Sequence, residues 1–272
     1  MPTLHHLYRQ ALSHAPSPFE AGELFRFITG ADPISPDLDT PAPPAMQSEL
    51  TRLLELRAQG YPLQYMLGSW EFYGLPFYVG PGVLIPRQDT ETLVDTALDI
   101  LKNAGKTSPE LLDLCSGSGC IAIAIKHSFP QAKVTALEAS ADAYTYLEKN
   151  TTLNAVDITC THADLRDYKH PAPLDMIVSN PPYIPHAELP GLQTEVTHEP
   201  AIALDGGQDG LNFYREIARR YRQMLAPGGQ LLLEIGAGQQ DDVTEILTSH
   251  GFVSIKQQKD LNAITRVLAG TT

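Results

Sequence analysis

The chain has 272 residues, of which 43% are hydrophobic, so it can bury a sizeable core in one large domain or two unequal ones. Its formal net charge of −13 disfavours binding to a nucleic-acid backbone, and we expect no direct nucleic-acid partner. The cysteines Cys115, Cys120 and Cys160 lack paired CxxC spacing, which argues against a disulfide framework and against a zinc site. We therefore expect reduced thiols and no bound metal.

The first residues do not resemble a secretion signal, because Met1–Gln10 already carries His5, His6 and Arg9. No run of about 18 apolar residues occurs, so a membrane-spanning helix is not expected. The pair His5-His6 is interpreted as solvated, since no acidic or cysteine partner stands at metal-ligand spacing. The sequence thus predicts a cytoplasmic protein.

Residues 1–67 are predicted to form a small helical domain, because apolar residues recur at three- and four-residue spacing. One helix is predicted to start at Ser17-Pro18-Phe19-Glu20, with Ser17 as N-cap and Pro18 at the first helical position. No convincing catalytic pattern occurs in this segment. Two roles stay open for it: a packed scaffold, or a surface that recognises a partner.

Residues 68–86 are predicted to be a linker built around an aromatic β-hairpin, with the aromatic residues placed on either side of Gly74-Leu75-Pro76. The following stretch, Val83–Glu91, leads into an amphipathic helix that carries Leu93, Val94 and Ala97. We place the boundary of the next domain at residue 87.

Residues 87–272 are predicted to form a Rossmann-like α/β domain, because strands and helices alternate from Leu111 onward. Only Gln258–Ala263 separates the last two strands, which is too short for a parallel crossover and requires an antiparallel hairpin at the sheet edge. The predicted strands are Leu111–Cys115, Lys133–Glu138, Asp157–His162, Asp175–Ser179, Gln230–Ile235, Val253–Gln257 and Ile264–Leu268.

A nucleoside site is predicted where the first of these strands ends. Gly117 and Gly119 allow a tight turn and a close approach of the backbone to a ligand. Glu138 closes the next strand, where a carboxylate can accept hydrogen bonds from both ribose hydroxyls. The spacing also fits the Gly-x-Gly-x-x-Ala pattern of dinucleotide-binding folds, so the glycines alone leave the cofactor open.

Three features favour S-adenosylmethionine over a nicotinamide cofactor. Asp113 precedes the glycines, where a carboxylate can face a methionine ammonium but would repel a pyrophosphate. Asp164 closes the third strand and can accept a hydrogen bond from an adenine amine, while Leu165 packs on the ring. The antiparallel hairpin at the end is typical of a seven-stranded methyltransferase sheet.

Asn180-Pro181-Pro182-Tyr183 follows the apolar strand Asp175–Ser179, at the sheet edge where α/β folds bind ligands. The prolines stiffen the loop and remove backbone donors, so the corner presents acceptors around Asn180. A planar NH2 group could donate to the Asn180 side-chain oxygen and to the Pro181 carbonyl. The alternative interpretation is an ordinary Asn-Pro turn at the end of a strand.

Several stretches together resemble the PrmC (HemK) family of release factor glutamine methyltransferases, and the similarity extends over almost the whole chain. The stretches most specific to this family are Ile85-Pro86-Arg87, here called the IPR run, and EPAIALDGGQDGL at 199–211, here called the EPAI run. The stretches are GSWEFYGLPFYVGPG at 68–82, VLIPRQDTE at 83–91, DLCSGSG at 113–119, NPPYI at 180–184, EVTHEPAIALDGGQDGLNFY at 195–214 and PGGQLLLEIG at 227–236.

The resemblance implies methylation of the side-chain amide nitrogen of glutamine in the Gly-Gly-Gln motif of class-1 peptide chain release factors. It implies contacts to S-adenosylmethionine from Leu165, Glu138 and Asn180 and from the loop Cys115-Ser116-Gly117-Ser118-Gly119. It further implies that Asn180–Tyr183 hold the glutamine and that residues 1–67 contact the release factor. Separately, we expect a monomer.

The sequence departs from the family pattern at two places. Gln88-Asp89 follows the IPR arginine, where Pro-Glu or Pro-Asp is usual, and Asn262-Ala263-Ile264 lacks the usual hairpin glycine. Rival functions are methylation of a ribosomal-protein glutamine, adenine-N6 methylation of nucleic acid, a non-catalytic binding module and a nicotinamide oxidoreductase. The intact Asn-Pro-Pro-Tyr argues against the non-catalytic module, and the acidic charge argues against DNA as substrate.

Overall fold

The computed structural model describes residues 2–35 and 37–272, which fall into two compact units. One unit consists of the residues through Gly68 together with Gln193–His198, and the other of Ser69–Leu192 and Glu199–Thr272. Among the described residues, no helix is both long and apolar enough to cross a membrane. The division by role into residues 1–67, 68–86 and 87–272 stays a prediction.

The first unit is helical, and its helices are α1 (Leu4–His14), α2 (Pro18–Thr29), α3 (Pro44–Ala58) and α4 (Leu63–Leu67). The predicted start of α2 is confirmed, because the Ser17 hydroxyl accepts a hydrogen bond from the Glu20 backbone N–H at 3.2 Å. The helix ends at Gly30, whose φ of +68° is accessible to glycine at little cost. Leu7, Phe25 and Leu50 are buried and form the unit's core.

Arg57 connects the segment Gln193–His198 to the helices of this unit. Its Nη1 donates to Glu195 Oε1 at 2.9 Å, and its Nη2 donates to Glu20 Oε1 at 3.2 Å. The side chain is only 11% exposed, so the two carboxylates neutralise a largely buried guanidinium. This places a distant chain segment against α2 and α3 inside one unit.

The second unit begins with a two-stranded antiparallel hairpin, β1 (Ser69–Phe72) and β2 (Leu75–Tyr78). The predicted sheet is confirmed: in the described part of the chain it has seven strands, and the order is β5-β4-β3-β6-β7-β9-β8. Its strands are β3 (Glu110–Leu114), β4 (Lys133–Glu138), β5 (Thr159–His162), β6 (Leu174–Ser179), β7 (Leu225–Glu234), β8 (Val253–Lys259) and β9 (Thr265–Thr271). The helices are α5 (Glu91–Ala104), α6 (Cys120–Ser128), α7 (Ala141–Leu153), α8 (Asn212–Tyr221) and α9 (Gln240–Ser249).

Helices cover both faces of the sheet, because the buried residues of β3 divide between two core clusters. Leu111 belongs to the core cluster that contains residues of α5 and α6, whereas Leu112 and Leu114 belong to the cluster that contains residues of α8 and α9. The direction of strand addition reverses between β3 and β6, which are parallel neighbours. This switch point puts the ends of both strands, and the loops after them, beside each other.

The terminal hairpin is confirmed, since β9 is antiparallel to both β7 and β8. Its turn works without glycine, because Ala263 adopts φ +62° and Asp260 Oδ1 accepts from the N–H groups of Asn262 and Ile264 at 2.8 and 2.9 Å. The other departure forms a 3₁₀ turn over Gln88–Thr90, in which Asp89 pairs with Arg266 at 2.9 Å. Both departures are therefore locally compensated.

Strand β7 differs most from its predicted bounds, because it begins at Leu225 and not at Gln230. The Pro227-Gly228-Gly229 run is typical of a turn, but Leu225 pairs with Leu174 across a register irregularity in the ladder. The loop after β6 also contains more structure than its sequence predicts. It forms 3₁₀ turns at His186–Gly191, Val196–His198 and Ala201–Ala203.

Candidate active site

A cleft opens at the carboxyl ends of β3, β4 and β6, with an empty volume of about 1020 Å³ that includes open solvent at its mouth. Most of the sequence-predicted site residues line it: Cys115, Ser116, Gly117, Ser118, Glu138, Asp164, Leu165, Asn180 and Pro182. Asp113, Gly119, Pro181 and Tyr183 are not on its wall. The switch point of the sheet therefore coincides with the predicted cluster.

The loop Cys115–Gly119 turns tightly at the end of β3. The Ser116 N–H donates to the Leu137 carbonyl at 3.0 Å, and the Gly119 N–H donates to the Ser116 carbonyl at 2.8 Å. Gly117 has φ +55°, and a Cβ built there would meet no atom within 4 Å. Since Gly117 lines the cleft, that missing side chain leaves ligand space open against bare backbone.

Glu138 fixes this loop from the end of the neighbouring strand. Its Oε2 accepts from the Gly117 N–H at 2.7 Å, and its Oε1 accepts from the Ser140 N–H at 2.8 Å. The residue is 8% exposed and still lines the cleft. A carboxylate has about four acceptor sites, so each oxygen can also accept a hydrogen bond from a ligand hydroxyl.

Asn150 joins the β1–β2 hairpin to the same loop. Its Oδ1 accepts from the Tyr78 N–H at 2.6 Å, while its Nδ2 donates to the carbonyls of Tyr78 at 3.1 Å and Ser118 at 2.9 Å. The side chain is fully buried, so these bonds satisfy a polar group that water does not reach. The hairpin is thereby tied to the cleft wall.

Asp113 lies beneath the loop and not in the cleft. The residue is 0% exposed, and among the described residues neither carboxylate oxygen has a hydrogen-bond partner. Burial raises the pKa of Asp113 to about 8. The structure therefore does not bring this carboxylate to where it could face a ligand's ammonium group.

Asp164 lies on the cleft wall with an internal partner. Its Oδ1 accepts from the Arg166 backbone N–H at 2.8 Å and from Arg166 Nε at 2.9 Å, and these hydrogen bonds lower the pKa of Asp164. Beside it, Leu165 is 6% exposed and its carbonyl accepts from the Tyr221 hydroxyl at 2.7 Å. The pair offers an anchored carboxylate next to an apolar surface.

Asn180 leaves the end of β6 with its side-chain amide oriented by Thr90. Asn180 Nδ2 donates to Thr90 Oγ1 at 3.2 Å, and both residues line the cleft. Because the NH2 group is directed to Thr90, the amide oxygen is the group that can accept a hydrogen bond from a ligand. The acceptor role of Asn180 toward a substrate stays a prediction.

The remaining residues of the tetrapeptide are held firmly but differ in exposure. Pro181 and Pro182 are buried, and only Pro182 reaches the cleft wall. Tyr183 packs against the core cluster of α8 and α9, and burial raises its pKa to about 12. Its carbonyl accepts from Gln239 Nε2 at 3.0 Å, so the tetrapeptide is tied to the loop before α9.

The glycine-rich stretch 204–210 packs directly on the exit of the tetrapeptide. The Ile184 N–H donates to the Leu204 carbonyl at 2.9 Å, and the Gly206 N–H donates to the Ile184 carbonyl at 2.8 Å. A Cβ at Gly210 would lie 2.4 Å from the Tyr183 carbonyl oxygen. Backbone therefore meets backbone here, which only glycine permits.

Several residues of the cleft were not predicted as site residues. The cleft wall also includes Arg87, Ile85, Thr90 and Phe213. Glu199, whose side chain is 1% exposed, supports the wall by binding Arg87 and the Ile85 N–H. Arg87 and Glu199 lie in two of the stretches that resemble the family, the IPR run and the EPAI run. Their sequence pattern did not indicate a chemical role for either residue. Among the described residues, no group of three or more His, Cys, Asp or Glu residues could hold a metal ion.

Comparison with known proteins assigns the family. The release factor glutamine methyltransferase of Geobacter sulfurreducens is 41% identical over 235 residues, which cover 86% of this chain and 81% of the relative. The protein of that name from Thermodesulfovibrio yellowstonii is 37% identical over 92% of this chain and 90% of the relative. This chain belongs to the release factor glutamine methyltransferase family.

Two further matches agree with this membership at the level of the fold. The methyltransferase small domain family matches residues 90–208, which include the glycine loop and the tetrapeptide. A methyltransferase structure from Pyrococcus furiosus superposes with a TM-score of 0.54 at 18% identity, covering 83% of this chain and 98% of the other. In this family member, Gly117, Glu138 and Asn180 occupy a single cleft.

Proposed function

We propose that this protein transfers a methyl group from S-adenosylmethionine to the side-chain amide nitrogen of the glutamine in the Gly-Gly-Gln motif of class-1 peptide chain release factors. The observation that carries the proposal is the oriented amide of Asn180, which lies in the same cleft as the glycine loop and Glu138. Family membership supports the assignment of the substrate class.

The residues of the cleft fit an adenosyl ligand. Gly117 offers open backbone, Glu138 has acceptor sites for ribose hydroxyls, and Leu165 supplies an apolar surface beside Asp164. Asp164 keeps acceptor capacity for an exocyclic amine beyond its bonds to Arg166. When bound, S-adenosylmethionine would supply an electrophilic methyl group on a sulfonium, and the S–CH3 bond that breaks would release S-adenosylhomocysteine as the leaving group.

Asn180, on the cleft wall, would act on the substrate amide together with the carbonyl of the next residue, Pro181, although Pro181 itself does not line the cleft in this structure. A primary amide nitrogen is a weak nucleophile because its lone pair is delocalised into its own carbonyl. Acceptors on both N–H bonds orient that nitrogen and stabilise the positive charge that develops on it during attack. Positioning of the reacting groups can lower the barrier by roughly 7–11 kcal/mol.

No strong base is needed before the transfer in this proposal. The methylated nitrogen is far more acidic than the starting amide, so its proton leaves after the new bond has formed. Tyr183 would exclude water from behind the tetrapeptide, where it packs on the core. Its hydroxyl is protonated at neutral pH, and burial raises its pKa further, to about 12.

We assign recognition of the release factor to the helical domain, residues 1–67, and to the loop after the tetrapeptide. The hairpin linker 68–86 and the catalytic domain 87–272 complete the proposed organisation. We expect a cytoplasmic monomer that contacts neither nucleic acid nor a membrane.

The test is transfer of labelled methyl groups to a purified class-1 release factor and to its Gln→Ala variant. Asn180→Ala should lose activity by at least about a hundredfold, as expected for a lost transition-state acceptor. Asn103→Ala is the matched control, because Asn103 is exposed near the end of α5 and its amide donates to the Asp99 carbonyl at 2.7 Å. Label on the Gln→Ala protein, or equal activity of Asn180→Ala, would refute the proposal.

A further inference from the structure

We infer that Glu234 and Thr90 are positioning residues that fix the orientation of the Asn180 side-chain amide, so that its oxygen and not its nitrogen faces the substrate. This inference deepens the proposed function and rests on it for the identity of the substrate. Neither residue needs to touch the reacting atoms to have this effect.

The sheet register places Glu234 beside Asn180. Ser179, the last residue of β6, pairs with Leu233 of β7, so Asn180 directly follows β6 next to Glu234, the last residue of β7. Side chains at adjacent positions of parallel neighbours project to the same face. Glu234 also pairs with Val267 on its other side, which encloses it between strands.

Glu234 is a buried acceptor without enough donors. It is 2% exposed, and its Oε2 has no hydrogen-bond partner among the described residues. Burial raises the pKa of Glu234 to about 7, although hydrogen bonding from Thr90, the positive charge of Arg266 and hydrogen bonding from Asn180 all oppose this shift. The neighbouring titratable groups are Arg266, Asp89, Tyr183 and Tyr214.

Thr90 completes the arrangement at the start of α5. Thr90 is 2% exposed, and its hydroxyl oxygen accepts a hydrogen bond from Asn180 Nδ2 at 3.2 Å. The hydroxyl proton can therefore be donated to Glu234. The Asn180 NH2 group thus has Thr90 Oγ1 as an acceptor on the cleft wall and Glu234 as an acceptor that does not line the cleft. A flipped amide would turn its oxygen toward acceptors and lose these hydrogen bonds.

This orientation bears directly on specificity. With the amide oxygen facing the cleft, the corner accepts hydrogen bonds from an NH2 group; with the nitrogen facing it, the corner would repel one. Residues that are distant in sequence therefore select for an amide or amine substrate without contacting it. Glu234 does not line the cleft, which separates this role from that of a general base.

Paired variants distinguish this role from others. At position 90, Thr90→Val removes the hydroxyl at similar volume, whereas Thr90→Ser keeps it. At position 234, Glu234→Met removes the acceptor, whereas Glu234→Gln keeps one acceptor oxygen without the charge. We expect kcat to fall about tenfold or more in Thr90→Val and Glu234→Met, as a lost 1–3 kcal/mol implies. Thr90→Ser and Glu234→Gln should stay within about threefold of wild type, and the Kd of S-adenosylmethionine should change less than kcat.

A second readout does not depend on turnover. The two side-chain amide protons of Asn180, assigned by their absence in Asn180→Asp, should shift in NMR spectra of Glu234→Met and Thr90→Val. They should remain near their wild-type positions in Thr90→Ser. Unchanged resonances and unchanged kcat in Glu234→Met and Thr90→Val would overturn the inference. A Glu234→Gln enzyme as inactive as Glu234→Met would also overturn it, because that result would indicate that Glu234 acts as a general base. If wild-type enzyme does not methylate a release factor, the proposed function fails, while the resonances still decide the positioning role.

Discussion

Glu199 Oε2 accepts a hydrogen bond from the Ile85 backbone N–H at 2.9 Å, although 114 residues separate the two in sequence. The same carboxylate binds the Arg87 guanidinium, and its side chain is 1% exposed. One buried group thus joins residues 85–87 to the stretch that starts at Pro200, and both segments contribute residues to the cleft lining.

Replacement of Glu199 by Gln should loosen this wall. Glutamine has one acceptor oxygen, so either the buried Ile85 N–H or the Arg87 guanidinium, which is 39% exposed, would lose its partner. A buried donor left without its hydrogen bond costs about 1–3 kcal/mol. We expect a lower melting temperature and roughly tenfold weaker binding of S-adenosylmethionine by calorimetry. Glu188→Gln is the control, since Glu188 is exposed in the same loop. Equal behaviour of the two variants would contradict this account.

Glu138→Gln should act on the cofactor more than on stability. Glutamine has one acceptor oxygen, so its NH2 group would face either the Gly117 or the Ser140 N–H, which Glu138 now binds at 2.7 and 2.8 Å. Loss of a hydrogen bond to a charged group costs about 1.5–3 kcal/mol, or roughly 10- to 100-fold in the Kd of S-adenosylmethionine. Glu148→Gln on the exposed face of α7 should leave that Kd unchanged, and a wild-type Kd in Glu138→Gln would exclude the role.

Gly210→Ala should damage the tetrapeptide far more than Gly228→Ala. Both glycines have positive φ, +76° and +79°, so both variants carry the left-handed penalty of about 1–2 kcal/mol. Only at Gly210 would the new Cβ also lie 2.4 Å from the Tyr183 carbonyl oxygen, whereas Gly228 has no atom within 4 Å. Urea denaturation and methyl transfer should therefore both rank Gly210→Ala well below Gly228→Ala. Equal stability and equal activity of the two variants would mean that the close contact between Gly210 and the Tyr183 carbonyl is not needed.

Asp113 should make the protein less stable as the pH rises. Burial raises its folded-state pKa from 3.8 to about 8, so between these values the folded state binds more protons than the unfolded state. The free energy of unfolding therefore falls as the pH increases through this range, by an amount on the order of a few kcal/mol. Asp113→Asn should reduce that fall, as measured by urea unfolding at about pH 5 and about pH 9. An identical pH dependence in the variant would show that Asp113 is not the group responsible.

The fold was predictable because its signals are local. Apolar runs such as Lys133–Glu138 and the short connection Gln258–Ala263 each restrict the structure on their own, and together they define the sheet and its terminal hairpin. Placement of Gly117, Glu138 and Asn180 in one cleft follows because parallel strands end at the same edge.

The rest depends on contacts between distant segments, which spacing does not encode. The pairing of Arg87 with Glu199 requires the path of the loop after β6, and the position of Glu234 beside Asn180 requires the exact register of β7. Asp113 shows a different limit: its position on a strand predicts which face it occupies, but not that the space there is closed to a ligand.

Asn150 has a consequence for how the hairpin responds to ligand. Its side chain bonds both to the Tyr78 backbone and to the Ser118 carbonyl, so the hairpin and the glycine loop share one set of hydrogen bonds. Opening of the hairpin breaks bonds that order the loop, and by reciprocity a ligand that orders the loop disfavours that opening. The rate of hydrogen exchange at the Tyr78 amide should therefore fall when a ligand occupies the cleft, so the hairpin reports cofactor binding although it lies outside the cleft.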